Sequence, residues 1–366
     1  MNAGQFKIIR WVSMDELLQI DVIVRVVVAL ALAVMTLSVF TLLLLVISRV
    51  GEHRVRRVRE QLRRQLLMGL ERRGGALEAG CFRHVDADVC IGVVACLAEE
   101  LEERQCFMLP EVYASCGMGH LAGAAALRMH SRRFHKRLRT ASYLPFIIER
   151  TEAIRVLIDA LDDPMVDVRL EAAHSLGRLK AAEAVVPILE HLSLPGNWPL
   201  RRVTELIMLM EDAAVPPLLE YLSGDGGSIA GKVIAISALG TLEAGEASAM
   251  VRSFMKDPSP EIRIQAMRAA GSTDGMGALV GLRRGLLDPV WEVRASAAKA
   301  LGKFPDEHSV SPLFHCLGDR EWWVRFNAAS SLLRQGPGGI AALRKALGHE
   351  DRFVREMSRM ILEGVS

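Results

Sequence analysis

The sequence predicts an all-α fold, an α-solenoid of about eight short helix pairs preceded by one transmembrane helix. Three observations carry this. A motif recurs at a period near 31 residues through the C-terminal two-thirds, and an uncharged apolar run of 22 residues lies near the N-terminus. Leucine, alanine, valine and arginine dominate a chain with only 5% aromatic residues, a helix-rich balance. β-Branched alternating runs are too few for a sandwich or barrel, and glycine and proline are spread as punctuation rather than in collagen-like or low-complexity tracts.

Taken in order, residues 1–21 read as a short non-cytoplasmic tail whose Phe6, Ile8, Ile9, Trp11, Leu17 and Leu18 suit a membrane interface. Residues 22–48 read as the transmembrane helix. The run Val26–Ile47 carries no charge, and at about 1.5 Å per residue it spans roughly 33 Å, enough for a hydrocarbon core of about 30 Å. It runs into Ser48-Arg49-Val50-Gly51 and a basic stretch rather than a small-residue cleavage site, which argues against a removed signal peptide. Lys7, Arg10 and Arg25 on one side face Arg49, Arg54, Arg56, Arg57, Arg59, Arg63 and Arg64 on the other. That asymmetry expects the N-terminus out and the larger part in the cytoplasm, anchored in the inner membrane.

Residues 49–73 then form a basic juxtamembrane helix, whose arginines also suit anionic lipids. Residues 74–119 contain no copy of the repeat and read as a helical cap over the solenoid end. Cys81, Cys90, Cys96, Cys106 and Cys116 gather there, with Cys316 far away, and no C-x-x-C spacing occurs. A cytoplasmic location keeps such thiols reduced. They read as small buried hydrophobes, with zinc binding alongside His84 or His120 as the other reading.

The repeats occupy 120–366. Basic anchors stand at Arg169, Arg201, Lys232, Arg263, Arg294, Arg325 and Arg355, with a weaker copy at Arg137. Arg294, Ala297, Ala298 and Leu301 have the i, i+3, i+4, i+7 spacing of one helix face. Asp-Pro turns precede these second helices at Asp163-Pro164, Asp257-Pro258 and Asp288-Pro289, with Asp319-Arg320 as a variant. Proline suits a first helical turn, and the aspartate can cap free N–H groups. An Asp lies six residues before the Arg in the pairs Asp163/Arg169, Asp257/Arg263, Asp288/Arg294 and Asp319/Arg325. The expectation is a structural ladder of Asp–Arg pairs linking adjacent repeats. Pro195-Gly196-Asn197 and Gly224-Asp225-Gly226-Gly227 replace the Asp-Pro turn in the third and fourth units, where the array is expected to bend or open.

The motif D-P-x-x-x-V-R-x-x-A-A-x-x-L-G resembles HEAT repeats, and its short period resembles the subtype named after phycobilisome lyases. The resemblance covers roughly 120–363 and implies a fold; it says little of activity. HEAT-repeat iron hydroxylases resemble this architecture but use several His-Glu dyads, whereas His349-Glu350 is the one such step here. No phosphate-binding glycine loop and no nucleophile elbow occurs.

No catalytic residue, metal ligand or cofactor is therefore expected. The candidate partner-binding residues are Trp198, Trp291 and Trp322, each three residues before a basic anchor, together with Trp323. They read either as indoles packed on the preceding repeat or as hydrophobic contacts for a partner. Residues 1–73 hold 12 Lys/Arg against 6 Asp/Glu, whereas 74–366 hold 33 against 37, a poor balance for neutralising nucleic-acid phosphates. The sequence thus points to a non-enzymatic scaffold that binds a membrane protein or complex at the cytoplasmic face, such as a glycosyltransferase or export machine. A bilin-lyase-like cofactor-handling enzyme is the alternative, and a sensor signalling through the short tail ranks last.

Overall fold

A computed structural model describes residues 35–38, 40–41, 55–70, 86–115, 120–192, 199–224 and 226–364. The tail 1–21 lies outside them. Of the segment 22–48 only residues 35–38, 40 and 41 are described, and they are helical and exposed. The expected span as a whole therefore lies outside the described residues. Among the described residues, no helix is long and apolar enough to cross a membrane.

Helix α1 (55–70) turns Leu62 and Leu66 into the protein core. These apolar residues thus join the core, and Arg63 pairs with Glu100 of the next segment. That segment comprises α2 (Ala87–Glu100), α3 (Glu103–Cys106) and α4 (Leu109–Ser115). Asp86 caps α2 by accepting from the Asp88 N–H. Cys90, Val94, Leu97, Cys106 and Leu109 are fully buried, in one core with Leu121 of the first repeat.

Eight helix pairs follow among the described residues: α5 (His120–Met129) with α6 (Phe134–Tyr143), α7 (Arg150–Asp159) with α8 (Val166–Arg178), α9 (Val185–Leu192) with α10 (Leu200–Met208), α11 (Val215–Ser223) with α12 (Ile229–Thr241), α13 (Ser248–Phe254) with α14 (Pro260–Thr273), α15 (Leu279–Gly285) with α16 (Trp291–Leu301), α17 (Glu307–His315) with α18 (Trp322–Arg334) and α19 (Pro337–Ala346) with α20 (Arg352–Glu363). Each second helix packs on the second helices before and after it.

The motif's alanines and terminal glycine make that stacking close. A Cβ on Gly240 would come 2.7 Å from the Cβ of Ala269 on α14, nearer than two carbons can sit. After the second helix the chain reverses through a left-handed residue at Lys180, Glu211, Glu243 and Gly275, a recurrence that keeps the same period.

Candidate protein-interaction face

The Asp–Arg ladder differs in wiring from the sequence expectation. Arg263 and Arg294 each pair with the aspartate of the following repeat, not with the carboxylate six residues before it, whereas Arg169 and Arg325 donate Nη1 to the main-chain carbonyls of Asp163 and Asp319. Arg263 donates Nε to Asp288 Oδ2 at 2.8 Å and Nη2 to Oδ1 at 3.0 Å. Its Nη1 donates to the main-chain carbonyl of Asp257, its own unit's aspartate, at 2.9 Å. Arg294 repeats the arrangement on Asp319 and the carbonyl of Asp288. One planar fork thus clamps two successive turns, the bidentate geometry that guanidinium and carboxylate favour.

Six residues of separation bring the carbonyl within reach, while the carboxylate is already committed. Asp163, Asp257, Asp288 and Asp319 each accept from the main-chain N–H two residues on. Those residues, Met165, Ser259, Val290 and Glu321, are the N-caps of the second helices. Pro164, Pro258 and Pro289 consequently sit just outside the helices, in side-chain-closed turns, and not in a first helical turn. The weak copy at Arg137 is a full member: its Nε and Nη2 reach Asp163 at 2.6 and 2.9 Å, and its Nη1 reaches the Ser131 carbonyl.

The ladder ends at Arg325. It holds the carbonyls of Asp319 and Arg320, but the next turn carries His349 where an aspartate would stand. Its Nε is buried without an acceptor, and its guanidinium lies over the Phe353 ring at 4.8 Å. That face of the ring supplies some of the missing negative field. Burial raises the carboxyl of Asp163, but the hydrogen bonds from Arg137 and Met165 and the nearby positive charges outweigh it and hold the group below the usual carboxylate range. Asp319 is held down in the same way by Arg294 and the Glu321 N–H. These groups serve cohesion, each being occupied by its neighbours.

Two cavities suit a partner, one along the second helices α14, α16 and α18 and a larger one that the first helices α9 and α11 also line. Trp198 lies outside the described residues. Trp291 is half-buried against the core, whereas Trp322 and Trp323 are 42% and 55% exposed. Trp323, not the in-phase Trp322, joins Trp291 in lining a groove of about 610 Å³ that also meets Arg268, Lys299 and Asn327. Trp322 instead stacks on Phe326, ring centroids 4.9 Å apart and nearly parallel, with Trp323 edge-on to it.

Arg268 also borders a larger hollow of about 1150 Å³, at the units whose turns depart from the motif. Leu200, Tyr221, Ile229, Val233 and Ile264 give it apolar walls, and Glu190, Glu220 and Glu261 put carboxylates on its border. Sequence reasoning marked the broken turns but assigned no site there. The signal was the glycines: Tyr221 lies close over Gly227 and Gly231, and a side chain at either would require its ring to shift.

Cys90, Cys106 and Cys316 are free and buried, and Cys96 is free and exposed; Cys81 and Cys116 lie outside the described residues. Burial first, then Asp86, pushes the Cys90 thiol up to about 11; burial and Asp319 do the same to Cys316. Neither is a nucleophile at neutral pH. Among the described residues, no group of three or more His, Cys, Asp or Glu side chains could hold a metal ion.

Comparison with known proteins places these repeats in a class. Residues 215–296 and 279–363 match the HEAT repeat family. The chain is 33% identical over 93 residues to the phycocyanobilin lyase subunit alpha of Synechococcus elongatus, covering 23% of this chain and 34% of the relative. It is 28% identical over 142 residues to the subunit of the same name from Picosynechococcus, covering 34% and 53%. The chain therefore spans from a third to about half of those relatives. Among solved structures, human deoxyhypusine hydroxylase overlays 69% of this chain and 98% of its own, at 20% identity and a TM-score of 0.29. The CpcE–CpcF phycocyanin lyase complex of Nostoc covers 67% and 94%, at 18% identity and 0.32. Likenesses this distant carry nothing about activity. The chain is an all-helical, HEAT-like solenoid, akin in sequence to the lyase-type subtype.

Proposed function

We propose that this chain is a membrane-anchored scaffold that binds a protein through the exposed face of its second helices. The observation that carries the reading is the groove on that face lined by Trp291 and an exposed Trp323, which borders the larger hollow at Arg268. Half-exposed indoles beside a hollow lose water when a partner covers them, which is how interface hot spots arise. Repeats that are already rigid offer this surface without ordering cost. The curated relatives are named as subunits, which supports a role beside another chain.

In this reading residues 22–48 anchor the chain in the inner membrane with its N-terminus out, and the solenoid works in the cytoplasm. Confinement raises its effective concentration near membrane partners. The partner is a membrane protein or complex, a glycosyltransferase or an export machine being examples, and not nucleic acid. The chain itself performs no catalysis.

The test is affinity purification of the tagged full-length chain from gently solubilised membranes, beside a Trp291→Ala/Trp322→Ala/Trp323→Ala variant. The reading expects a stoichiometric membrane protein whose yield falls at least about tenfold in the variant, hot spots being worth about 2 kcal/mol or more each. Equal recovery from a folded variant would return the tryptophans to packing.

A second reading has its own support in the lyase-subunit matches: bilin handling, with the larger hollow as the chromophore's place. A visible absorption band that co-purifies with the chain and disappears when Tyr221 and Ile229 are replaced by alanine would favour it over the scaffold.

A further inference from the structure

The basic helix does more than flank the membrane segment. Helices α1, α2, α5 and α6 enclose a cleft of about 440 Å³ whose wall holds Arg59, Arg63, Arg128, Lys136 and Arg139 against two carboxylates, Glu60 and Asp88. Asp88 is divided between Arg128 Nη2 at 2.9 Å and Lys136 Nζ at 3.9 Å. Arg63 is turned toward Glu100. Among the described residues no carboxylate lies within ion-pair distance of Arg59 or Arg139. Arg128 keeps Nε and Nη1 shut away from solvent with no acceptor. Guanidinium donors left without an acceptor are costly to bury. The floor, Ile91, Gly92 and Val93, has no competing acid. A Cβ added at Gly92 would lie 3.8 Å from Arg59 Nη2, which places that guanidinium beside the floor of the cleft.

We propose that this cleft binds a phosphate group, carried by an anionic lipid headgroup or by a soluble phosphate. Converging arginines from three helices, α1, α5 and α6, match the several oxygens of a phosphate, and a bound anion would lower the repulsion among cations that the fold has brought together. The site would also lock α1 onto the first repeat, fixing how the solenoid leaves the segment before it. It stands independently of the scaffold reading.

Calorimetric titration of the full-length chain in neutral detergent tests it, using inorganic phosphate, dihexanoyl phosphatidylglycerol and dihexanoyl phosphatidylcholine as probes. Saturable binding of phosphatidylglycerol, weakened about tenfold or more by Arg59→Gln/Arg139→Gln, supports the site, and so does the same result with phosphate. The lipid alone assigns the headgroup, phosphate alone a soluble ligand, and both the phosphate group itself. Arg344→Gln/Lys345→Gln removes the same charge from the far end and should leave affinity unchanged. Arg139→Gln alone carries the test if the double variant loses helicity. Affinity that is absent for both anionic probes, equal to that for phosphatidylcholine, or untouched by the cleft substitutions overturns the proposal.

Discussion

Arg263 joins two turns with three hydrogen-bonding nitrogens, so its loss and the loss of its partner are not equivalent events. Asp288→Ala strands a guanidinium that is only 13% exposed and should cost about 3 kcal/mol, read from urea unfolding. The double change Arg263→Met/Asp288→Leu removes both charges and should cost clearly less, because no desolvated charge is left behind. Acid tests two other rungs, Arg137–Asp163 and Arg294–Asp319. Asp163 and Asp319 have carboxyls depressed in the folded state, so the unfolded chain binds more protons as pH falls. Their contribution is complete above the ordinary carboxylate value of about 4 and is lost below it, toward the depressed values. Thermal melting should therefore hold steady from neutral pH to about 5 and fall steeply below 4, and Asp319→Asn should flatten that fall. The partners in the ladder were legible as residue types at fixed spacing. Their wiring was not, because spacing along the chain cannot tell a carboxylate from the carbonyl behind it.

The second helices stack closely because their facing residues are small, and one methyl group tests this. Gly240→Ala pushes a Cβ into Ala269 and should destabilise by about 2 kcal/mol although alanine is the better helix former. Gly123→Ala in α5, where an added Cβ meets nothing within 4 Å, should stabilise by up to about 1 kcal/mol. Denaturation midpoints moving in the same direction would contradict the close-stacking account. Helix existence and phase were readable from Arg, Ala-Ala and Leu-Gly at seven-residue span, since those residues bury one face. The larger hollow was less readable. It forms where Gly224 to Gly227 and Tyr221 replace the regular turn, and a broken motif tells where packing changes without telling what shape results. The tryptophans share a phase in the sequence, yet Trp322 is drawn aside by Phe326 and leaves Trp323 beside Trp291.

Over the whole molecule, repeats that touch only their neighbours build one long surface, and the scaffold proposal says that the second-helix side of it meets a partner. A photo-crosslinking amino acid placed at Gln265, Lys299 or Trp323 on that side, in full-length chain within native membranes, tests this most directly. Ser311 and Ala341, exposed on first helices, are the controls. The account predicts one discrete protein adduct from the second-helix positions and none from the controls. Adducts of equal yield from both sides, or none from the second-helix side of a folded chain, would contradict it.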